Sequence, residues 1–300
     1  GASLGSGSDL DVSSVSLNTL KATLDDALEL YTDVILNPAF PEQELERLRK
    51  QQLAAIQREK VTPIPMALRV FPKLIYGEGH AYSNPFSGSG TEEAVQKITV
   101  ADLQKFHQTW FKPNNATLIV IGDTTMDELA PKIEKAFKNW QSGEFPKKNI
   151  GEVSKPEKTT IYLIDRPGSQ QSFIIAGQIA PPKANPDEIA IETMNYTLGG
   201  SFTSRINMNL REDKHWTYGA GAVVIDARGQ RPYIAYSNVQ MDKTKESMQE
   251  IVKEMQGIAA DRPPTEEELT IAKQSKTLTL PGEWETMGAV AGSLKEIVQY

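Results

Sequence analysis

Three imidazoles, His80, His107 and His215, and no thiol are what the chain offers for metal binding and nucleophilic chemistry. The absence of cysteine excludes disulfides, thiolate zinc and iron–sulfur sites, and a thiol nucleophile. It leaves the compartment open, since a Cys-free chain suits cytosol and periplasm alike. The histidines are too far apart in sequence for any two to share one helix face, so a His-x-x-x-His zinc helix is excluded. Each has an ordinary role available. His80 lies in the glycine-rich loop Gly77-Glu-Gly-His-Ala, where a local hydrogen bond is its expected use. His107 sits with Phe106 and Trp110 on an amphipathic helix, as a packed side chain. His215, beside Trp216, has no acid or nucleophile at a useful spacing. Serines are plentiful, yet neither a Gly-x-Ser-x-Gly elbow nor a Gly-x-x-x-x-Gly-Lys phosphate loop occurs. Gly199-Gly200 is expected to end one helix and start another rather than to cradle an anion.

The elements around these residues follow from apolar periodicity. Leu20, Leu24, Leu28, Tyr31 and Ile35 predict a helix that stops at Asn37-Pro38. Pro41 suits the first turn of a second helix, with Leu45, Leu48, Leu53 and Ile56 as its apolar side. The charges from Glu42 to Lys60 are expected to be a solvated face. Residues 66–76 predict a short helix. Thr99 with Asp102, Thr124 with Asp127 and Thr265 with Glu268 have capping-box spacing. Pro131 predicts a kink or a later start in the helix after Thr124. Residues 116–121 read as a buried strand, and 159–164, 172–179, 218–226 and 232–239 as further strands, with turns at Pro167-Gly168 and Gly229. Helices are expected over 186–198, from 201 to about 211, and from Lys243 and Thr265. The fold class is α+β: an antiparallel-rich sheet with helices packed on one face. A Gly-, Pro- and Lys-rich stretch at 146–157 reads as a linker between domains 1–145 and 158–300.

Lys and Arg number 32 against 39 Asp and Glu, for a net charge of −7. A nucleic-acid partner is excluded on that balance, because phosphate contacts need a concentrated positive stripe. No run approaches the ~20 apolar residues of a membrane-spanning helix. Gly1 to Ser8 lack the basic start and apolar run of a signal peptide. The chain reads as a piece of a longer protein, truncated in both domains.

Composition and spacing end there, and one segment goes further. Leu198-Gly-Gly-Ser-Phe-Thr-Ser-Arg-Ile-Asn-Met-Asn-Leu-Arg-Glu-Asp-Lys-His-Trp-Thr-Tyr-Gly-Ala-Gly-Ala222 resembles the most recognisable stretch of the pitrilysin/insulinase (M16) zinc peptidases. The family form is a Gly-Gly-x-x-x-Ser-Arg-Leu helix, then Leu-Arg-Glu, then Tyr and a strand. Leu36-Asn-Pro-Ala-Phe-Pro-Glu-Gln-Glu-Leu-Glu-Arg is similar to the helix–helix junction of the family. Thr99 to Asp123 is similar to the close of one family domain.

This resemblance implies tandem M16-type α/β rolls, with 1–145 the C-terminal part of one domain and 158–300 the N-terminal part of the next. Such domains pair into two bowl-shaped halves around a peptide chamber. Catalytic members bind zinc through His-x-x-Glu-His and a Glu on a later helix. That later helix matches Glu42 to Lys60, where Ala55 occupies the third-ligand position and Leu48 that of a companion Glu. Neither side chain can ligate a metal or accept a proton, so the resemblance implies a non-catalytic half, inactive alone and binding no cofactor itself. Zinc is expected on a companion half, in the same full-length chain or in a separate subunit. In active members the non-catalytic half supplies an Arg and a Tyr to that zinc site, and Arg211 and Tyr218 match the pair. A peptide is the implied substrate, and similar bacterial tandem proteins suggest the periplasm. The alternative is a catalytically dead M16-like scaffold that only organises partners. Read from the residues alone, Arg211 could instead serve a helix dipole and Tyr218 simply open a strand.

Overall fold

Three of the alternating segments pair as predicted, and helices follow the 3.6-residue periodicity closely. The computed structural model describes residues 1–300. In chain order its elements are β1 (Ala2–Ser8), β2 (Ser13–Thr19), α1 (Leu24–Leu36), α2 (Glu42–Val61), α3 (Pro63–Tyr76), α4 (Glu92–Lys97), α5 (Val100–Trp110), α6 (Met126–Phe137), β3 (Gln171–Ala180), α7 (Glu188–Asn195), α8 (Arg205–Asn207), β4 (Thr217–Val224), β5 (Arg231–Gln240), α9 (Thr244–Ala259), α10 (Glu266–Thr279) and α11 (Met287–Gln299). Helices α7 and α8 each run on into a wider π turn, Tyr196–Gly200 and Met208–Asp213. Two units result: residues 1–57, 88–149 and 283–299, and residues 58–87, 150–282 and 300.

In the first unit β1 and β2 form an antiparallel hairpin, from Ala2 opposite Thr19 to Ser8 opposite Ser13. Its Gly/Ser composition hides it from pattern reading. The turn is set by Asp9, whose carboxylate accepts the N–H groups of Asp11 and Val12 at 2.9 Å each, a local Asx arrangement. Helix α1 buries Ala27, Leu28 and Ile35 and starts at Leu24, because Lys21–Thr23 form a single tighter turn. The Thr99–Asp102 box is made in both directions, at 2.9 and 3.2 Å. At α6 the cap lies one residue later than expected. Thr125, and not Thr124, accepts the N–H of Glu128 at 3.3 Å, and the helix then runs through Pro131.

The second unit contains the three-stranded antiparallel sheet, in the order β3-β5-β4. Its core joins Ile174, Tyr233, Ala235 and Val239 of the sheet to Leu198, Ile206 and Leu210 around α8 and to Ile251 and Ile258 of α9. By strand alternation Gly177 faces away from this core, opposite to Ile174 and Ala176. A side chain there would strike the Phe71 ring of α3. Arg231, at the start of β5, is wholly buried. It donates to the Pro181 carbonyl at 2.9 Å, to Asp226 at 2.5 Å and to Glu188. Lys183 ties the same carboxylates to Glu192, which meets Lys276 of α10 at 2.5 Å. Three cations and three anions thus neutralise one another where an unpaired buried charge would be costly. Burial works to raise the Glu192 pKa, but hydrogen bonds from Lys276 and Lys183 prevail and bring it down to about 2.

Two predicted strands make no ladder. Residues 116–121 and 159–164 are not in a strand, and Leu118, Val120, Ile161 and Leu163 are exposed, the last by 87%. Their apolar alternation encodes an extended conformation, but a strand exists only when a neighbour takes up its N–H and C=O groups, and none does so here.

Candidate functional site

The second unit holds both residues of the expected donor pair. Arg211 lies in the π turn Met208–Asp213 that prolongs α8, and Tyr218 lies at the head of β4. A short, heavily bonded turn separates them. The Lys214 N–H bonds the Asn209 carbonyl, and the Trp216 N–H bonds that of Leu210, both at 3.0 Å. His215 takes the left-handed conformation at φ 57° and its Nδ1–H donates to the Arg211 carbonyl at 3.1 Å. That is its role, and it is a local one. Leu210, 1% exposed, anchors the turn in the core.

Tyr218 is raised by an irregularity in the ladder. Thr217 opposes Val239 and Ala220 opposes Ser237, so β4 carries one residue more than β5 between these pairs. Such a bulge re-aims a side chain, and Tyr218 is 92% exposed. The bulge is stitched from below. The Thr217 hydroxyl donates to the Asn238 carbonyl at 2.5 Å and accepts the Gly219 N–H at 3.1 Å. The buried Ser237 hydroxyl donates to the Gly219 carbonyl at 3.1 Å.

Arg211 is oriented but not saturated. Its guanidinium carbon lies 4.5 Å from the centroid of the Phe202 ring, a cation–π contact. Nη1 is buried and ion-paired to Glu212 Oε1 at 2.9 Å, without hydrogen-bond alignment. An arginine serving only a helix end would bond terminal carbonyls. Arg211 instead pairs with the neighbouring Glu212 and leaves a third of its side chain exposed.

Neighbouring motif residues are structural. Gly199 and Gly200 do more than separate two helices: a Cβ on Gly199 would come within 2.4 Å of the Ala222 N atom, so the glycine lets the first π turn close against β4. Arg205 clasps Glu268 through Nε at 2.7 Å and Nη2 at 2.6 Å, and its remaining N–H groups reach the carbonyls of Arg262 and Pro263. Glu268 also closes the expected capping box with Thr265, at 2.8 and 3.2 Å. The hydrogen bond from Arg205 leads the causes that lower its pKa to about 2. Pattern reading found Glu268 as a cap and missed its partner. Nothing in the pattern singles out Phe202 or Asn207, which support the pair through tertiary bonds.

In the first unit α2 presents no chemistry at the positions of interest. Leu48 is 51% exposed and Ala55 half-buried. The packed side of the helix is made by buried Ile56 with half-buried Leu45 and Leu53, as expected, joined by two polar side chains. Arg49 caps α4 at the carbonyls of Val95 and Ile98, and Gln52 bonds the Ser89 carbonyl at 3.0 Å. Two charges of this helix are therefore structural and not solvated as expected: Arg49 satisfies carbonyls that the short α4 leaves open, and Glu59, 16% exposed, pairs with Arg69 at 2.5 Å. The side chains near Leu48 pair among themselves, as Arg47 does with Glu44 at 2.7 Å. No group of three or more His, Asp or Glu could hold an ion, so the residues present do not fit a zinc site. His80 donates through Nε2 to the Gly151 carbonyl at 2.9 Å and accepts the Tyr82 N–H at 3.0 Å. His107 bonds the Ile35 carbonyl at 2.7 Å and meets Phe40 and Phe111. Both are occupied as packed residues.

The family model of the Peptidase M16 inactive domain matches residues 97–276. The chain belongs to this family. Among its relatives are a Helicobacter pylori protein named zinc protease PqqE, 25% identical over 68% of this chain and 46% of that protein. Another is the non-peptidase homolog YmxG of the same organism, 23% identical over 68% and 46%. The chain spans about half the length of these curated relatives. The solved peptidase M16 inactive domain from Pseudomonas fluorescens superposes with a TM-score of 0.88, at 24% identity over 98% of this chain and 69% of that one. The periplasmic protease PqqL from Escherichia coli superposes at 0.67, with 15% identity over 93% and 31%. At these identities the structural likeness establishes the fold. The α+β M16-type fold and the non-catalytic, inactive-domain character of the chain follow. No helix is long and apolar enough to cross a membrane.

Proposed function

We propose that this inactive domain completes the peptide chamber of an M16-type zinc endopeptidase and donates hydrogen bonds from Arg211 and Tyr218 to the substrate. The catalytic M16 half, in the same full-length chain or as a separate subunit, carries the zinc, which activates the attacking water. The domains would be 1–145 and 158–300 joined by 146–157, each part of an M16-like roll, in the bacterial periplasm. The single observation that supports the reading best is the exposed part of Arg211: a guanidinium steadied on one face by Phe202 and paired with Glu212, with a third of its side chain still open to solvent. A peptide carbonyl can approach the guanidinium only on that exposed side. As its oxygen gains negative charge during hydrolysis, the Arg211 N–H groups and the Tyr218 phenol O–H donate to it more strongly, which lowers the barrier. Losing one such donor typically costs ~3–4 kcal/mol of barrier, or ~10²–10³ in kcat.

Peptide hydrolysis by the full-length protein with its catalytic half tests this. Arg211→Ala and Tyr218→Phe should each lower kcat, with Arg211→Ala the larger effect. Wild-type rates in both would favour the alternative, a catalytically dead scaffold or partner-binding subunit, which the name of the non-peptidase relative encourages.

A further inference from the structure

One side chain ties together the two supports of the donor pair. Asn207 closes α8, four residues before Arg211, and is 4% exposed. Its Nδ2 donates to the Phe202 carbonyl at 2.6 Å, and its Oδ1 accepts the Ala220 N–H at 3.0 Å. The two backbone partners fix which end of the amide is which, because a carbonyl can only accept and an N–H can only donate. Phe202 is the residue whose ring lies against the Arg211 guanidinium. Phe202 is 66% exposed, so little packing fixes it besides that backbone bond. Ala220 is the residue at which the Tyr218 bulge rejoins the ladder.

Resting on the donor-pair reading, we propose that Asn207 is the positioning residue of this site and Phe202 the platform it controls. One buried amide sets where the ring sits under Arg211 and where the strand carrying Tyr218 begins, so both donors are aimed by a single group. The chemistry demands an amide. Aspartate at 207 would keep the Ala220 bond but turn a carboxylate oxygen on the Phe202 carbonyl, acceptor against acceptor. Leucine would keep the volume and lose both bonds.

The test uses the full-length protein with its catalytic half and compares Asn207→Asp and Phe202→Leu, each alone and combined with Arg211→Ala. Phe202→Leu changes an exposed side chain and should fold. Each change should lower kcat about tenfold or more in the wild-type background, since a small misplacement of a reacting group is costly. Each should add little once Arg211 is already alanine. A merely structural role would instead depress kcat equally in both backgrounds. Nuclear magnetic resonance gives a readout independent of turnover. The Arg211 side-chain protons lie over the Phe202 ring face, so ring-current upfield shifts should be present in the wild type and lost in both variants. Unchanged kcat and unchanged Arg211 shifts in both variants would overturn the positioning role while leaving the donor pair intact. Wild-type turnover in Arg211→Ala alone would overturn the donor reading, and the positioning role with it.

Discussion

Helix α2 and the segment from Leu198 to Ala222 are both stretches where the M16 resemblance predicts function, and they are built in opposite ways. At Leu48 and Ala55 the chain has an exposed leucine and a half-buried alanine on a helix whose buried side is spent on holding α4. Nothing converges on those positions. Around Arg211 and Tyr218, by contrast, lie two π turns, and a bulge and a left-handed His215 are held in place by bonds from Thr217, Ser237, Asn207 and Gln240. Irregular backbone persists only where its surroundings over-determine it, and wide helical turns and bulges gather at functional sites. Helix α2 is ordinary helix at both positions, whereas the segment around Arg211 and Tyr218 is irregular and supported.

Three measurements test this contrast. The largest effect is expected at Leu210, whose side chain is buried under the Arg211 turn. Leu210→Ala should cost about 2–5 kcal/mol of unfolding free energy in denaturant titration. A loss below half a kcal/mol would mean that the turn is not anchored by the core. Next is the clasp of α8 to α10. Glu268→Gln should cost about 1–3 kcal/mol at neutral pH by weakening the bonds from Arg205. Both Glu268 and Glu192 have folded pKa values near 2, below the ordinary 4.5. Their stabilisation is therefore complete above about pH 4.5 and is lost as the pH falls from there through about 2, where the unfolded chain binds the extra protons. Glu268→Gln should flatten the fall of melting temperature across that window, and an unchanged slope would contradict the assignment. The smallest effect belongs to α2. Leu48→Ala should change stability by no more than about 0.5 kcal/mol, and a larger loss would show that this face is doing more than the structure assigns it.

Much of this was legible in the sequence wherever the cause is local. The Thr99–Asp102 and Thr265–Glu268 boxes needed only residues three apart, and the strands at 172–179 and 232–239 needed only alternation. Arg211 and Tyr218 came from family likeness, and Leu48 and Ala55 with them. The supports were not legible because they arise from distant residues. The bulge at Tyr218 exists only in its register with β5, Asn207 acts on Phe202 and on Ala220 in another element, and Arg205 meets Glu268 across the unit. The same limit explains residues 116–121 and 159–164, where local pattern encodes extension but pairing is not local. It also explains β1, whose Gly/Ser run becomes a strand because Asp9 turns the chain back on β2.

On the proposed function, Arg211 and Tyr218 act together on one developing charge, and a double-mutant cycle on kcat separates joint from independent action. Peptide hydrolysis would be measured for Arg211→Ala, Tyr218→Phe and the double variant in the full-length protein with its catalytic half. If both donors serve one oxygen, the double variant should lose distinctly less than the product of the two single losses, because groups that act as a unit are not additive. Single variants that turn over at the wild-type rate, or losses that multiply independently, would contradict it.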